Sequence, residues 1–362
     1  MPIRVMLVDD STIIRGLISR ALTEDPNNDI VATANNGLMA IDSAKAYKPD
    51  VIILDIEMPE MDGITALPKI LEVSPDSQVI MASTLTQSNA SVSMEALSLG
   101  AVDYLPKPSS TGDRDALEVF YRDLRAKVKS IGRAKQERDA AAAKAKKAEA
   151  SAAPVKPSPL KNIALKSGAI KNVDAIAIAS STGGPHALQE LFADLKGQLN
   201  HVPIFITQHM PPTFTALLAE HIEKAVGRPC KEAVHGEIAE AGRIYVAPGD
   251  YHMVVEKRDG NMVITINQDP AENFCRPAAD PMLRSLSSVY KDRLLLVVMT
   301  GMGQDGLIGA REVVKQGGSV IAQDKETSVV YGMPKAVADD GLCTKILPLG
   351  DIASYLTKTV AA

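Results

Sequence analysis

The side chains most able to take part in catalysis or ligand binding in this chain of 362 residues fall into two groups. Most of them lie at or just beyond the end of a short apolar run. The first group contains the carboxylates of Asp9, Asp10 and Asp55. Carboxylates that converge repel one another unless a hard cation such as Mg²⁺ neutralises them. Ser83 and Lys107 end or follow later apolar runs and would add a hydroxyl and an amine. This combination suits the binding of a phosphoryl group on a carboxylate.

The second group contains a serine, a histidine and an aspartate. Ser181 lies in a turn of small residues after the apolar run Val173–Ala179, and such a turn exposes a hydroxyl and lets backbone amides approach an oxyanion. His209 follows the next apolar run, and Asp305 lies in the Gly-rich segment 300–306. Each feature alone also fits a helix cap, a structural histidine or a phosphate-binding loop. Together they predict a triad in which the histidine takes the serine proton and the aspartate orients the histidine.

The first group needs a sheet to bring its side chains together, and the pattern of the first 125 residues predicts such a sheet. Short apolar runs alternate there with segments of helical periodicity, which is typical of a doubly wound parallel sheet with helices on both faces. Ligands bind such sheets beyond the carboxyl ends of the strands, and in a flavodoxin-like order of 2-1-3-4-5 the strands that carry Asp9 and Asp55 are neighbours. The predicted strands are Arg4–Val8, Ile30–Ala34, Val51–Leu54, Gln78–Ala82 and Ala101–Leu105.

The residues from 172 onwards repeat this alternation of apolar runs and helical segments. Two further runs flank Asp259-Gly260, a dipeptide that is typical of a β-hairpin turn. We therefore expect a second α/β domain that is Rossmann-like and contains an antiparallel hairpin. Its predicted strands are Val173–Ala179, Val202–Thr207, Arg243–Val246 and Leu294–Met299, with hairpin strands at Met253–Glu256 and Met262–Ile266.

A basic segment separates the two predicted domains. The interval 133–171 contains ten lysines and arginines but only three acidic residues, and half of the residues in 134–153 are alanine. Pro154, Pro157 and Pro159 then prevent a helix from continuing. Because the segment has no apolar face, we predict a linker over 126–171, between a first domain over 1–125 and a second over 172–362.

Composition limits the functions that the chain can serve. The net charge is −5, and both predicted domains are acidic, which argues against a nucleic-acid platform. No apolar run reaches the roughly 18 residues of a membrane span and no signal peptide is visible, so we expect a cytoplasmic protein without membrane insertion. Three widely spaced cysteines support neither a disulfide framework nor a zinc site.

The acidic group resembles the receiver domain of bacterial response regulators over about residues 1–125. The matching segments are Val-Asp-Asp-Ser at 8–11, Leu-Asp-Ile-Glu-Met-Pro at 54–59, Met-Asp-Gly at 61–63 and Leu-Pro-Lys-Pro at 105–108. The resemblance implies that a chemotaxis sensor histidine kinase phosphorylates Asp55, and that Ser83 and Lys107 sense the phosphoryl group. The implied Mg²⁺ ligands are Asp9, Asp10, Asp55 and the carbonyl of Glu57.

The second group resembles the catalytic segments of the chemotaxis protein-glutamate methylesterase (CheB) family. The matching segments, within about 172–358, are 181–184, 208–211, 247–253, 276–280, 300–306, 322–324 and 332–334. The resemblance implies that Ser181 is the nucleophile, His209 its base and Asp305 the carboxylate that orients the histidine. It also implies that the Met302 amide contributes to the oxyanion site. Ser180 stands where the family pattern has glycine or alanine.

The two resemblances together imply a phosphorylation-activated esterase that removes methyl groups from glutamate methyl esters on the cytoplasmic helices of methyl-accepting chemoreceptors. The same acyl chemistry would deamidate receptor glutamines, and the catalytic domain would need no cofactor. Two alternatives fit less well. A DNA-binding response regulator needs a basic recognition helix, which the acidic second domain does not offer. A nucleotide-binding domain that used the serine turn would need a dinucleotide-binding or Walker pattern there, and that turn has neither.

Overall fold

The computed structural model describes residues 1–84, 86–108, 113–150, 165 and 172–360, with the backbone alone described at 87, 88 and 145–150. The chain divides into two compact units, with the division between residues 158 and 159. Within the described residues, none of the helices combines the length and the apolarity that a bilayer crossing requires.

The first unit is built on a parallel sheet. Its elements are β1 (Ile3–Val8), α1 (Thr12–Thr23), β2 (Asn28–Ala34), α2 (Gly37–Tyr47), β3 (Val51–Asp55), α3 (Gly63–Val73), β4 (Gln78–Ser83), α4 (Gln87–Ser98), β5 (Asp103–Pro106) and α5 (Arg114–Ala150). The strand order is β2-β1-β3-β4-β5, which confirms the predicted flavodoxin-like arrangement. Every residue of the central strand β3 is buried, as expected of a parallel strand covered on both faces.

Helix α5 extends well beyond the predicted domain limit at residue 125. Its buried apolar stripe consists of Phe120, Leu124, Val128 and Ile131. Polar contacts continue the docking past this stripe, because Lys135 Nζ lies 3.3 Å from Asp50 Oδ1 and Arg138 donates to Gln78 Oε1 at 3.2 Å. The first part of the predicted linker is therefore helical. The part at 151–171, which includes the three prolines, lies outside the described residues apart from residue 165, and the limits of the linker stay a prediction.

The second unit contains a longer parallel sheet and a separate hairpin. Its elements are β6 (Ala175–Ser180), α6 (Gly184–Asp194), β7 (Ile204–Gln208), α7 (Phe214–Val226), β8 (Cys230–Glu232), β9 (Ile244–Val246), β10 (His252–Arg258), β11 (Asn261–Asn267), α8 (Ala279–Tyr290), β12 (Leu294–Val298), α9 (Leu307–Lys315), β13 (Ser319–Gln323), α10 (Met333–Asp339), β14 (Lys345–Leu347) and α11 (Leu349–Thr359). The sheet order is β14-β13-β12-β6-β7-β9-β8, and β10 pairs with β11 antiparallel. The α/β fold with a hairpin is thus confirmed, although β8, β13 and β14 were not predicted.

The three strands at the centre of this larger sheet are β12, β6 and β7, in that order. All of their residues are buried, and each strand pairs in parallel with the next. Their registers align Val298 with Ala179 and Ser180 with Gln208. The segments that leave these strands therefore begin beside one another at one edge of the sheet.

Candidate catalytic site and candidate acidic site

The three central strands of the second unit carry the predicted catalytic residues at their carboxyl ends. Ser181 follows β6, His209 follows β7, and Asp305 lies between β12 and α9. Backbone hydrogen bonds hold these segments together. The His209 amide donates to the Ser180 carbonyl at 3.2 Å, and the Ser181 amide donates to the Thr300 carbonyl at 3.0 Å. The sequence prediction that the three segments share one edge is confirmed.

A hydrogen bond joins the histidine to the aspartate. His209 Nε2 lies 2.7 Å from Asp305 Oδ2, and only 2% of the aspartate side chain is exposed. A carboxylate accepts this bond, so the hydrogen-bond network assigns the proton to Nε2. Nδ1 is then the nitrogen that can act as a base, which differs from the arrangement in which Nε2 faces the serine.

The Asp305 carboxylate is surrounded by hydrogen-bond donors. They are His209 Nε2 (2.7 Å), Asn273 Nδ2 (3.0 Å) and the backbone amides of Ala279 (2.5 Å), Asp280 (3.2 Å) and Gly306 (3.0 Å). Burial alone would raise the pKa of Asp305, but the bonds from His209 and the backbone amides lower it below its ordinary value. The carboxylate therefore stays charged and fixed in orientation.

The other nitrogen of His209 contacts a cysteine. Cys275 Sγ lies 3.4 Å from Nδ1, whereas no hydrogen bond of the described residues joins the Ser181 hydroxyl to His209. Burial lowers the pKa of His209, but Cys275 and Asp305 raise it, and the net direction is upward. The structure thus brings histidine and aspartate together and places the serine beside them, with the cysteine at the basic nitrogen.

The two adjacent serines differ in their surroundings. Ser180 is fully buried, and its hydroxyl donates to Gln208 Oε1 at 2.7 Å. The Gln208 amide in turn donates to the carbonyls of Ser181 (3.0 Å) and His209 (3.3 Å). Ser180 and Gln208 therefore brace the two turns that carry the predicted nucleophile and base. Ser181, by contrast, is partly exposed.

The Gly-rich loop lies directly against the serine turn. A β-carbon on Gly301 would lie 2.4 Å from the Met333 sulfur and 2.9 Å from Ser181 Cβ, so only glycine permits this approach. Met302 follows Gly301 directly in this loop. The loop has the Gly-x-Gly-x-x-Gly spacing of a dinucleotide-binding turn, but the Asp305 carboxylate accepts the Gly306 amide at 3.0 Å and places a negative charge where a phosphate would bind.

In the first unit, the predicted acidic site also forms at the carboxyl ends of strands. Asp9 and Asp10 follow β1, Asp55 ends β3, Ser83 ends β4 and Lys107 follows β5. Oxygen atoms of the three aspartates lie within 4.8 Å of one another. Three carboxylates at this spacing supply the oxygen donors that Mg²⁺ prefers, so the residues fit the implied ion. Glu57 lies at the rim with an exposed side chain.

Lys107 bridges two of these carboxylates. Its Nζ lies 2.7 Å from Asp9 Oδ2 and 2.6 Å from Asp55 Oδ1. Burial raises the pKa of Asp55 to about 6, although Lys107 opposes this shift. Asp55 also receives a close backbone contact, since a β-carbon on Gly63 would lie 1.9 Å from its carbonyl oxygen. Glycine is therefore required where α3 begins beside the acidic site.

Ser83 lines the same cavity of about 260 Å³ as the carboxylates. Its hydroxyl forms a hydrogen bond of 3.0 Å with the Ser93 hydroxyl. The neighbouring Asn89 donates to Thr84 Oγ1 at 2.7 Å. Thr84 and Asn89 also line the cavity and were missed by the sequence analysis. The position of Thr84 directly after a strand that ends in Ser83 is the signal that could have identified it.

Three further residues of the catalytic site were not predicted from the sequence. Asn273, Cys275 and Asp280 lie close to His209 or Asp305, although about 65 residues of chain separate Cys275 from His209. Asp280 lies in the family-like segment 276–280, but the segment alone assigns it no role. Asp280 Oδ1 accepts the Gly309 amide at 2.7 Å, and burial together with the nearby Asp305 charge raises the pKa of Asp280 to about 6. Their clustering around an Arg-Pro dipeptide is the available sequence signal.

Two family models match the chain. A CheB methylesterase model matches residues 176–356, and a response regulator receiver domain model matches residues 5–117. The crystal structure of the Thermotoga maritima CheB methylesterase catalytic domain covers 52% of this chain and 99% of that chain, with 38% sequence identity and a TM-score of 0.50.

Relatives of known name match nearly the whole chain. A protein-glutamate methylesterase/protein-glutamine glutaminase of Azospirillum brasilense is 48% identical over 369 residues, which covers 99% of this chain and 92% of that protein. A protein of the same name from Rhodopseudomonas palustris (strain BisB5) is 46% identical over 363 residues, with 99% and 94% covered. The similarity therefore spans both units.

Proposed function

Since the chain belongs to the CheB methylesterase family and also carries a response regulator receiver domain, we propose that it is a phosphorylation-activated protein-glutamate methylesterase. Its substrates are glutamate methyl esters of methyl-accepting chemoreceptors, and its role is adaptation in chemotaxis. The observation that carries this proposal is the 2.7 Å His209–Asp305 hydrogen bond beside the Ser181 turn. The names of the relatives include a second activity, protein-glutamine glutaminase, and we propose receptor glutamines as its substrates.

Acylation uses the Nδ1 atom of His209 as the base. Ser181 replaces the Cys275 thiol at this nitrogen, which takes the serine proton while Oγ attacks the ester carbonyl carbon. Asp305 keeps the proton on Nε2 and stabilises the imidazolium. Collapse of the tetrahedral intermediate breaks the bond to the methoxy oxygen. That oxygen takes the proton from Nδ1 and leaves as methanol.

Deacylation repeats these steps with water. Nδ1 takes a proton from the water, and the hydroxide attacks the acyl carbon. Ser181 Oγ then leaves and recovers the proton, which releases a glutamate side chain. When the substrate is a glutamine side chain, ammonia takes the place of methanol as the leaving group. The two activities therefore need the same residues.

The oxyanion forms beside two sources of positive potential. Ser181 lies just before α6, an 11-residue helix, and the amino-terminal end of a helix favours negative charge. The Met302 amide belongs to the loop segment that Gly301 presses against the serine turn. We assign this amide to the carbonyl oxygen of the tetrahedral intermediate.

Asp55 accepts the phosphoryl group in the receiver domain. Mg²⁺ would be held by Asp9, Asp10, Asp55 and the carbonyl of Glu57, and it would neutralise charge as the phosphoryl group is transferred. Lys107 binds the phosphoryl oxygens, and Ser83 turns its hydroxyl from Ser93 towards them. These exchanges of hydrogen-bond partners transmit the presence of the phosphoryl group.

We infer two partners from the chemistry of the two sites. The phosphodonor is a chemotaxis sensor histidine kinase, and the substrate is a glutamate on a cytoplasmic helix of a chemoreceptor. A protein that binds both of these partners must act in the cytoplasm. Nucleic acid has no part in either reaction, and the acidic charge of the chain is consistent with this assignment.

The test of this function is methanol release from methylated receptor membranes. We expect the full-length protein to release methanol and a small phosphodonor with Mg²⁺ to increase the rate. Failure to release methanol would refute the esterase assignment. Release that the phosphodonor leaves unchanged would refute the regulatory role of Asp55 alone.

A further inference from the structure

A tight turn precedes α8 at the edge of the catalytic site. The amide of Glu272 donates to the Cys275 carbonyl at 3.1 Å, and the reverse bond is 2.9 Å long. The two central residues, Asn273 and Phe274, have φ values of +52° and +63°. Arg284 holds the base of the turn through both oxygens of the Glu272 carboxylate, at 2.5 and 2.8 Å.

The second central residue is unexpected for this backbone. A two-residue turn with positive φ at both central positions has the signature of type I′, which strongly prefers Asn-Gly. Asn273 satisfies the first position, but Phe274 has a β-carbon and a bulky ring in the left-handed region. Local folding would therefore favour glycine at position 274. Strain of this kind persists where the surrounding structure enforces it, and it points to a function for the side chain.

The turn is tied to the catalytic residues on both sides of the phenylalanine. Asn273 Nδ2 donates to Asp305 Oδ1 at 3.0 Å, and Cys275 Sγ lies 3.4 Å from His209 Nδ1. Phe274 is thus one residue from a contact with the aspartate and one residue from a contact with the base. The backbone that carries the ring is therefore tied to the catalytic residues on both sides.

The ring is also the most exposed large apolar side chain among the described residues of the second unit, with 81% of its surface accessible. We propose that Phe274 is a specificity-determining residue that packs on an apolar side chain of the substrate helix, next to the esterified glutamate. The inference rests on the proposed function, because it takes a glutamate within a protein helix as the substrate. An aromatic ring that a partner buries near the centre of an interface contributes strongly to binding.

A small ester distinguishes this role from a role in the chemistry. N-acetylglutamate γ-methyl ester has the reacting group but no helix, so Phe274 should not affect its hydrolysis. Phe274→Gly restores the preferred Asn-Gly turn and should keep or raise the melting temperature. A loss of activity in this variant therefore cannot come from unfolding. Phe274→Tyr is the conservative variant, and Val234→Ala removes another exposed apolar side chain, beyond the edge strand β8.

The experiment compares kcat and KM of full-length variants on methylated receptor membranes and on the small ester. For Phe274→Gly, we expect kcat/KM on receptor to fall on the order of tenfold, through KM, with the small ester unaffected. Phe274→Tyr should retain most of the receptor activity, and Val234→Ala should match the wild type.

Three results would overturn the inference. An equal loss on both substrates would show that the turn only supports His209 and Asp305. Unchanged activity on both would show that the ring binds nothing during the reaction. A higher rate of the unphosphorylated protein, with unchanged KM for receptor, would assign the ring to the receiver domain instead. If the wild type hydrolyses the small ester but releases no methanol from receptor, it is the proposed function that fails.

Discussion

Asp55 and Asp305 are buried carboxylates at the carboxyl ends of parallel strands, yet they are held in opposite ways. Asp305 accepts hydrogen bonds from five donors, and its pKa is lowered. Asp55 accepts one backbone amide, from Ile56 at 2.8 Å, and the Lys107 ammonium at 2.6 Å. Burial raises the pKa of Asp55 to about 6.

The difference shows how one fold class prepares a carboxylate for two tasks. A carboxylate whose lone pairs are fully used is a fixed charge, which can orient a histidine but cannot attack. A carboxylate with few partners has oxygen atoms free to take a phosphoryl group and a cation. The number of donors that the loops supply, rather than the sheet, determines which task the residue performs.

The largest effect on activity should follow from removing the Ser181 hydroxyl, whose proton is taken by the histidine that Asp305 orients. Ser181→Ala should lower methanol release by roughly 10⁵-fold or more, because the members of a triad act as a unit. Ser180→Ala is the matched control and should cost less than about tenfold, since that hydroxyl only braces Gln208. If the control has the larger effect, Ser180 is the nucleophile and the account of this site is wrong.

The next largest effect on activity should follow from changing Asp305, the carboxylate that accepts five hydrogen bonds. Asp305→Asn should lower kcat by about 10⁴-fold, because the amide no longer fixes the tautomer of His209. Asp280→Asn changes the adjacent buried carboxylate, which does not contact His209, and should have a much smaller effect on kcat measured with the small methyl ester. Equal losses of kcat in the two variants would contradict the specific role of Asp305 in orienting His209.

The corresponding change in the receiver should affect regulation alone. Asp55→Asn should keep the basal rate of methanol release but lose stimulation by a small phosphodonor, because it removes the phosphoryl acceptor and a Mg²⁺ ligand. Asp42→Asn, at an exposed position of α2, should respond like the wild type. Stimulation that survives in Asp55→Asn would place the acceptor elsewhere.

The smallest effect concerns the pH dependence of the base. Cys275 contributes to the raised pKa of His209, so Cys275→Ala should lower that pKa. His209 acts as a base only when Nδ1 is unprotonated, and the acid limb of kcat/KM should therefore move to lower pH, by less than about one unit. Hydrolysis of the small methyl ester measures the shift. Cys343→Ala, at a buried cysteine, should leave the limb in place, and a shift to higher pH would contradict the assignment of Nδ1 as the base.

Much of the fold was predictable because buried parallel strands are continuous apolar runs that end at polar residues. β8 (Cys-Lys-Glu) and β14 (Lys-Ile-Leu) contain only three residues each and include charged ones, so neither is a continuous apolar run. The extension of α5 was missed for another reason. Val128 and Ile131 continue its apolar stripe past residue 125 for only two more turns. Beyond them the helix docks through polar side chains such as Lys135 and Arg138, and hydrophobic periodicity does not register such contacts.

The residue types at the two sites were also predictable, because motifs fix which side chain follows which strand. The residues that contact these side chains were not predictable. Cys275 and Asn273 reach the catalytic site through a turn whose conformation depends on Glu272 and its partner Arg284. No spacing rule connects that turn to strands far away along the chain, so its closeness to His209 emerges only from the tertiary fold.

The most direct test of the account is to identify the side chain that carries the acyl group. The full-length protein would be mixed with p-nitrophenyl acetate, quenched in acid after the first turnover, digested and analysed by peptide mass spectrometry. Three side chains near the base compete for the label, Ser180, Ser181 and Cys275, and the account predicts an acetyl group on Ser181 that disappears in Ser181→Ala. An acetyl group on Ser180 or Cys275 in the wild-type protein would contradict it.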